Sequence, residues 1–504
     1  MSQPILCFDL DGTLMDDSSL SLAAGMVTTG SLTRKFEANP CNLSPSMAYK
    51  VMGFGYPLDF FKYSCTISLL TQPTICWNML LSLSQSPGTN MVATNQYRTG
   101  DQSLVREINL SVIMNHLRTN APISRAALAD TTGLNKTTVS SLVNELIERQ
   151  FVQEIGLASP SSGRPAILLK LNPTAGFIVS CEIGVDFILV ICSNFAPEII
   201  WRHEEQIDPS IGQRAILDCA LTILNRAIEA GSPACGKLLG MAVGVPGLVD
   251  QATGALLFAP NLGWKDLPIR AILQESFGVP LFVDNEANIA ALGEHYFGAA
   301  QGYKEVLYIS AGVGLGGGIV HGGRVFSGVT GVSAEFGHMT LDPDGEICKC
   351  GNQGCWETQV SQQALFRHIW RRVDQGEPSR LSEMTGGRRA SLTVPLIVEA
   401  ARAGDAVALG ALDIIGRHLG IGIASLVNAL NPELVVFGGI LSLAGEFLMP
   451  VINKEVEQRA LKWNREAMQL VLARHASDAC VMGGVAAVYQ AILAQPDNVG
   501  ALVS

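Results

Sequence analysis

One histidine and three cysteines fall within eighteen consecutive positions of this 504-residue chain. His338 is followed, after nine residues, by a short run that contains Cys348, Cys350 and Cys355. One nitrogen and three sulfur donors complete the tetrahedral shell of a structural zinc ion and leave no position open for catalysis. We therefore predict that these four residues bind structural Zn²⁺, the alternative being a set of unrelated reduced thiols.

The other nine cysteines are scattered without a pairing pattern, which is typical of a reduced, cytoplasmic protein. The formal net charge is −11, and it is uneven: residues 91–170 carry +2, whereas residues 171–504 carry −11. Residues 63–83 are apolar and nearly long enough to span a membrane, but Gln72, Pro73 and Asn78 make them a poor membrane helix. We therefore expect a small, non-acidic module ahead of a large acidic body, and no membrane partner.

Residues 91–172 contain the signals of a winged helix-turn-helix. Apolar residues at helical spacing predict a first helix that ends before Pro122, and Ser124 is a good cap for a second helix, Arg125 to Asp130. A four-residue turn with a glycine leads to a third helix that starts at Asn135, whose apolar stripe runs to Ile147. The alternative is a three-helix dimerisation or linker domain.

The face opposite that stripe carries short polar side chains and one cation, which can approach phosphates and reach base edges in the major groove. Its predicted DNA contacts are Lys136, Thr137, Thr138, Ser140, Ser141 and Asn144. Two strands, residues 151–155 and 167–171, flank a turn, and this pattern predicts a wing with Arg164 at its tip. We expect the module to bind double-stranded operator DNA.

From residue 173 onward, apolar strands alternate with helical stretches, as in an α/β fold. This region contains several short motifs: GVPG at 244–247, NLGW at 261–264, DNEAN at 284–288, GVGLGGG at 312–318, EFGH at 335–338 and CWE at 355–357. Together with the preceding helix-turn-helix, they resemble the ROK family of repressors, open reading frames and kinases, and in particular its repressors of the xylose-repressor type. The resemblance covers about residues 98–490.

The resemblance implies a two-lobed actin-like (ribonuclease H-like) sugar-kinase-type domain over residues 173–504, a small sugar in the cleft between the lobes, and a homodimer or dimer of dimers. The protein would then be a repressor of carbohydrate utilisation genes, with xylose as one possible effector, that sugar binding releases from DNA. Carried over by position, the sugar contacts would be Asn261, Asn285, Glu286, Glu335, His338 and Glu357. His338 would bind zinc through one ring nitrogen and a sugar hydroxyl through the other.

The alternative is an ATP-dependent sugar kinase of the same family with an appended DNA-binding domain. The kinases of the family carry a first phosphate loop Asp-x-Gly-Gly-Thr-Lys, where this chain has residues 182–187, EIGVDF. Val313 replaces a threonine of the second loop, and Glu286 replaces the catalytic aspartate, which displaces the base by one methylene. These departures predict that the protein is not an enzyme, and that the glycine run 312–318 is a tight strand-to-strand or hinge turn.

A third hypothesis concerns the first ninety residues. The stretch FDLDGTL at 8–14 resembles the first motif of haloacid dehalogenase-like phosphatases, in which Asp9 would be the nucleophile and Asp11 the acid/base. The rest of that family's core has no counterpart before residue 91, and Met91 is a possible start. We interpret the match as a chance or truncated one, and expect residues 1–90 to be poorly ordered or an over-extended gene model.

Overall fold

The computed structural model of the chain describes residues 102–157 and 166–494. The predictions made for residues 1–90, for Asp9, Asp11 and Met91, and for Arg164 at the tip of the wing lie outside the described residues. Two large five-stranded sheets form the body, and a small three-stranded sheet with three helices precedes them.

The elements are defined by the following bounds. The helices are α1 Gln102–Asn120, α2 Arg125–Thr132, α3 Lys136–Glu148, α4 Gln213–Cys235, α5 Ile269–Phe277, α6 Glu286–Phe297, α7 Glu357–Val360, α8 Gln362–Asp374, α9 Arg380–Met384, α10 Val394–Arg402, α11 Ala406–Leu430, α12 Gly445–Arg459, α13 Lys462–Ala467 and α14 Ala479–Ala494. The strands are β1 Ile123–Ser124, β2 Val152–Leu157, β3 Ile167–Leu171, β4 Phe177–Ile183, β5 Phe187–Asn194, β6 Ile199–Gln206, β7 Leu238–Val245, β8 Leu248–Asp250, β9 Ala255–Ala259, β10 Trp264–Leu267, β11 Leu281–Asn285, β12 Val306–Ala311, β13 Leu315–His321, β14 Arg324–Val325, β15 Leu434–Gly438 and β16 Gln469–Leu472.

The N-terminal helices follow the predicted helix-turn-helix closely. Ser124 caps α2, since its side chain accepts a hydrogen bond from the amide of Ala127, and Asn135 caps α3 in the same way. The predicted end of the second helix at Asp130 was two residues short, because the hydroxyl of Thr132 bonds back to the carbonyl of Leu128 and the helix continues to that residue. The third helix starts one residue after the cap, at Lys136.

The two large sheets share one topology. In each, a three-stranded antiparallel meander is followed by two parallel strands: β6-β5-β4-β7-β11 in the first lobe and β14-β13-β12-β15-β16 in the second. A three-stranded antiparallel sheet, β8 to β10, extends the first lobe. Parallel pairing of buried strands requires helical crossovers, which explains the alternation seen in the sequence.

Helices α6 and α14 cross between the lobes and pack against each other. Helix α6 leaves β11 of the first lobe and lies on the sheet of the second, whereas α14 lies on the sheet of the first lobe. Their backbones nearly touch: a Cβ at Gly293 would lie 2.5 Å from the carbonyl oxygen of Ala479, and one at Gly483 would overlap that of Ile289. Glycine is therefore required at both positions, and the two helices form one rigid pair.

The turn predicted for the glycine run 312–318 is shorter in the structure. Only residues 312–314 form the turn between β12 and β13, and Gly316 to Gly318 lie within strand β13. A Cβ at Gly317 would overlap the ring of Phe336, and one at Gly318 would lie 2.7 Å from Cβ of Ala291 on helix α6. The glycines after the turn thus allow a helix and a loop to approach the sheet closely.

Two helices of the described chain are long and apolar enough to cross a membrane, Ala406–Leu430 and Ala476–Leu493. More than half of each is buried inside the protein. The first belongs to the core of the second lobe, and the second belongs to a core shared with the winged helix. Their apolar character is therefore that of core helices.

Candidate functional site

A cavity of about 410 Å³ lies between the two lobes. It is lined by the residues that follow β4 and β11 in the first lobe, and by those that follow β12 and β15 in the second. All six residues to which the family resemblance assigns sugar contacts line this cavity, although they come from distant parts of the sequence. They are Asn261, Asn285, Glu286, Glu335, His338 and Glu357.

Asn285 and Glu286 enter the cavity at the start of helix α6. The side-chain oxygen of Asn285 caps the helix by accepting from the amide of Ala287 at 2.8 Å, and its amide group donates to the carbonyl of Gly247 at 3.0 Å. The Asn285 side chain therefore has a structural task that sequence reasoning did not foresee. Glu286 follows the cap, and one of its carboxylate oxygens is buried without a hydrogen-bond partner among the described residues.

On the opposite wall, the loop between β14 and α7 supplies the remaining acidic groups. The Nε2 of His338 lies 3.9 Å from the carboxylate of Glu335. Glu357 accepts a hydrogen bond from the amide of Leu315 at 3.0 Å through one oxygen, and its other oxygen lies 3.5 Å from Sγ of Cys348. This wall therefore joins the cavity directly to the cysteine cluster.

The cysteine cluster has the dimensions of a tetrahedral metal site. The Nδ1 of His338 lies 3.8 Å from Sγ of Cys348, the Sγ atoms of Cys350 and Cys355 are 3.7 Å apart, and all four ligand atoms lie within 4.8 Å of one another. Two sulfurs at ~2.3 Å from zinc would be about 3.8 Å apart at a tetrahedral angle. The residues present thus fit a Zn²⁺ ion.

The backbone supports this arrangement. The amide of Cys348 donates to the carbonyl of Asn352 at 2.8 Å, and Gly351 adopts a φ of 95°, which closes a tight turn between the ligands. Burial raises the pKa of the Cys348 thiol and that of Cys355, so a cation is needed to hold them as thiolates at neutral pH.

The cavity lining is strongly acidic. It contains six carboxylates, and among the described residues that form it there is no lysine or arginine. Burial raises the pKa of Glu182 to about 8, and it raises the pKa of Glu286 well above its usual value, with a further contribution from the nearby Glu182. Glu182 is therefore mainly protonated at neutral pH, and the raised pKa of Glu286 favours its protonated form; a protonated carboxyl can donate as well as accept a hydrogen bond. Sequence reasoning discussed Glu182 only as part of a degenerate phosphate loop.

The loop that corresponds to a kinase's first phosphate loop also lines the cavity. Asp186 projects an anion there, and the ring of Phe187 packs against Gly184, where a Cβ would lie 2.4 Å from the ring. In the second loop, Gly314 is wedged beside Glu357 and Asn261, since a Cβ there would lie 2.3 Å from a Glu357 oxygen. These loops contact the acidic lining and an aromatic ring, and neither of them supplies a cation.

The candidate DNA surface is the outer face of helix α3. Val139, Leu142, Val143 and Leu146 are buried, which turns the predicted DNA-contacting residues outward. Of these, Lys136, Thr137, Ser141 and Asn144 are exposed, and Thr138 and Ser140 are half-buried. Strands β2 and β3 form the antiparallel base of the wing, and β3 also pairs with the short strand β1, which the sequence did not predict.

One cation beside this face was missed. Arg125, the first residue of α2, donates to the side chain of Asn144 at 3.0 Å and to that of Glu154 at 2.8 Å. The signal that could have identified it is a basic residue directly after the N-cap of α2, the helix that precedes the recognition helix. From the start of helix α2, Arg125 thus holds the side chain of Asn144 in place.

The winged helix and the body share one hydrophobic core. Phe151 packs against Phe195, the residue after β5, with tilted rings whose centroids are 5.1 Å apart, and Phe195 stacks on Tyr489 of α14 at 5.0 Å. Tyr489 in turn meets Phe297, the last residue of α6, at 6.3 Å. Helices α6 and α14 both have one end at the cavity, so a packed path joins the cavity to the DNA-binding module.

Comparisons with known proteins assign this chain to a protein family. A sequence profile described as "ROK family" matches residues 178–491, and one described as "Winged helix-turn-helix DNA-binding" matches residues 108–153. The chain is a winged-helix protein with a two-lobed, actin-like body, and it belongs to the ROK family. Neither profile covers residues 8–14, so the resemblance to haloacid dehalogenases gains no support.

Similar proteins include both regulators and kinases. The xylose repressor of Caldicellulosiruptor bescii is 34% identical over 400 residues, which cover 79% of this chain and 99% of that protein. The crystal structure of a ROK family transcriptional regulator, a homologue of the Escherichia coli MLC protein, matches with a TM-score of 0.68 and 29% identity over 79% of this chain and 99% of that one. A ROK family glucokinase from Streptomyces griseus, solved with glucose and AMPPNP, matches with a TM-score of 0.58 and 32% identity over 62% of this chain and 100% of that one.

Proposed function

We propose that this protein is a sugar-responsive, DNA-binding repressor of carbohydrate utilisation genes. The observation that carries the proposal is the position of helix α6, whose first residue, Glu286, lies in the cavity and whose penultimate residue, Tyr296, contacts helix α1 of the winged helix. A ligand in the cavity and DNA on the winged helix thus act on the two ends of one helix. Such an arrangement couples the two binding events if the sugar prefers one of the two lobe arrangements.

The lining of the cavity supports a sugar as the effector. Vicinal hydroxyls both donate and accept hydrogen bonds, so protonated and ionised carboxyls, amides and an imidazole can bind them in pairs. The contacts we propose are Asn261, Asn285, Glu286, Glu335, His338 and Glu357. Because several similar proteins are named xylose repressors, xylose is the first sugar to test.

The same lining argues against kinase activity. Phosphoryl transfer requires cations or donors around three charged phosphates. The described lining of the cavity contains no lysine or arginine, so it offers no cation to the phosphates of ATP, and its ionised carboxylates would repel them. We propose that the protein is not an enzyme, even though kinases are among its relatives.

On the DNA side, we propose that residues 91–172 bind operator DNA and that residues 173–504 form the sugar-binding domain. The proposed contacts are Lys136, Thr137, Thr138, Ser140, Ser141 and Asn144 of the recognition helix, with Arg164 in the wing. A homodimer that binds a pseudo-palindromic operator in the cytoplasm fits a module with a single recognition helix per chain.

We also propose that His338, Cys348, Cys350 and Cys355 bind a structural Zn²⁺ ion. The distances between their ligand atoms support it. Zinc would brace the loop that carries Glu335, His338 and Glu357, so the metal would keep the sugar-binding wall in shape without taking part in chemistry.

The proposal is tested by measuring the affinity of the full chain for DNA from upstream of its own and neighbouring genes. Salt is held fixed, because phosphate contacts make the affinity steeply salt-dependent. We expect nanomolar, sequence-specific binding that a neutral sugar weakens about tenfold or more, and no ATP hydrolysis with any sugar. The variant Glu335→Gln should bind the same DNA but respond to sugar only at much higher concentration.

Two results would contradict the proposal. Specific DNA binding that no sugar changes would remove the sugar from the mechanism, and ATP-dependent phosphorylation of a sugar would restore the kinase hypothesis. Analytical ultracentrifugation of the same preparation tests the homodimer, since a monomer that binds a single half-site would exclude it.

A further inference from the structure

The six residues proposed to bind a sugar occupy only part of the cavity. The rest of the lining comes from other elements: the β4–β5 turn, the end of β6, the start of α10 and the segment before α14. Its polar and aromatic members are Asp186, Phe187, Glu204, Gln206, Thr393 and Ser477. We call this part of the cavity the distal region.

The cavity is too large for one sugar ring. At roughly 30 Å³ per water molecule, a volume of about 410 Å³ corresponds to some fourteen waters. One pentose or hexose is smaller than this volume. A monosaccharide held by the six residues would therefore leave space for a second ring of similar size.

The charge of the distal region excludes the ligands that a kinase would place there. Asp186 and Glu204 are acidic, and Arg202, which pairs with Glu204 at 3.0 Å, is also paired with Asp478 at 3.0 Å and does not line the cavity. Phosphate groups of a nucleotide or of a sugar phosphate would face carboxylates without a free partner. A neutral ligand meets no such repulsion.

The remaining groups suit a carbohydrate. Phe187 is half-buried, and its ring is fixed against Gly184 while it lines the cavity. An aromatic face of this kind can stack on the apolar face of a pyranose. The amide of Gln206 and the hydroxyls of Thr393 and Ser477 offer donors and acceptors for neutral hydroxyls.

We propose that the distal region binds a second pyranose ring, so that the effector of this protein is a neutral disaccharide. The inference rests on the proposed sugar-responsive function, and it names the class of sugar. The first ring would occupy the wall formed by Glu335, His338 and Glu357, and the second would stack on Phe187. The edge of the distal region at Gln206 is open to solvent, which leaves room for further sugar rings of a longer oligosaccharide.

The test uses the full chain and isothermal titration with matched pairs of sugars: xylose and xylobiose, glucose and cellobiose, and glucose and maltose. We expect one disaccharide to bind at least tenfold more tightly than its monosaccharide and to release operator DNA at correspondingly lower concentration. Phe187→Ala should weaken that disaccharide about tenfold and leave the monosaccharide within twofold. Phe326→Ala, an exposed phenylalanine outside the cavity lining, is the control and should change neither.

The outcomes separate this inference from the function on which it rests. Equal affinity for each monosaccharide and its disaccharide, with full release of DNA by the monosaccharide, would overturn the second-ring site and leave the repressor intact. Competition between the disaccharide and ATP would also overturn it, since the distal region would then hold a nucleotide. If no sugar of either size changed DNA binding, both proposals would fall.

Discussion

The guanidinium of Arg118 donates a hydrogen bond to the main-chain oxygen of Tyr296 over 2.8 Å and lies 4.7 Å from the centre of the Tyr296 ring. Arg118 belongs to the last turn of helix α1 in the winged helix, and Tyr296 to the last turn of α6. Burial lowers the pKa of Arg118, but an arginine remains charged at any pH the protein meets. A charged contact therefore joins the DNA-binding module to the helix that starts in the cavity.

This contact leads to the first prediction. Arg118→Met keeps most of the apolar stem and removes the charge, so the sugar should still bind with nearly wild-type affinity but should release DNA less completely. We expect the ratio of operator affinities without and with sugar to fall about fivefold or more, in line with a lost coupling of ~1 kcal/mol. Arg214→Met, at an exposed position on helix α4, is the control. An unchanged ratio in Arg118→Met would exclude the contact from the coupling.

The second prediction concerns the metal. Cys348→Ala should abolish bound zinc, lower the melting temperature and weaken sugar binding about tenfold or more, because Cys348 also lies beside Glu357. Metal content is measured by mass spectrometry and sugar affinity by titration. Cys219→Ala, a half-buried cysteine outside the cluster, should retain the metal. Full sugar affinity without metal would contradict the bracing role.

The third prediction addresses the recognition helix. Lys136→Ala should weaken binding to specific and random DNA alike and reduce the slope of log affinity against log salt by about one, because one phosphate contact is lost. Lys454→Ala, on the exposed face of α12, carries the same charge change and should alter neither quantity. A loss confined to the operator sequence would instead assign Lys136 to a base contact.

The fourth prediction follows from Glu182. Its pKa is about 8 in the folded protein and near 4.5 when unfolded, so the folded state retains a proton that the unfolded state releases as the pH rises. The stability of the sugar-free protein should therefore decrease between pH 4.5 and 8, and Glu182→Gln should remove roughly 2–4 kcal/mol of that decrease. Chemical denaturation at pH 5.5 and 8.5 measures it, with exposed Glu229→Gln as the control. Parallel pH profiles for wild type and Glu182→Gln would show that the carboxyl is ionised throughout.

The fifth prediction tests the contact between α6 and α14. Gly293→Ala would place a methyl group 2.6 Å from the amide nitrogen of Gly483, so the helices must separate, at a cost of about 1–3 kcal/mol. Gly410→Ala, on helix α11, meets only the end of the Arg372 side chain and should lie within about 1 kcal/mol of wild type. Thermal unfolding of both variants decides it, and equal stability would show that the helix pair tolerates separation.

Local patterns in the sequence were sufficient for the DNA-binding module. The stripe from Val139 to Leu146 and the caps Ser124 and Asn135 act within a few residues of their partners, so their spacing predicts the helices that form. The end of α2 was missed by two residues because the hydroxyl of Thr132 stabilises a further half-turn. Strand β1 was not predicted, because a strand of two residues is too short to show an alternation of apolar and polar side chains.

The contacts between distant residues could not be predicted in this way. Arg118 looks in the sequence like a cation that complements the end of its own helix, but its partner Tyr296 is 178 residues away. The joint burial of Glu182 and Glu286, and the single cavity that collects residues 261 to 357, arise only when both lobes are in place. The family resemblance predicted six residues that line the cavity, but it did not reveal the acidic distal region.

The shared core beneath the winged helix also bears on the order in which the chain can mature. Residues between Leu110 and Leu171 bury their side chains together with Val485, Tyr489 and Ile492 of the last helix. During synthesis, the N-terminal module leaves the ribosome long before its partners on α14 do, so it cannot complete its core until α14 has also been synthesised. A chain that lacked α14 would expose this apolar surface, so we expect the DNA-binding module to be stable only when it is joined to the body that carries α14.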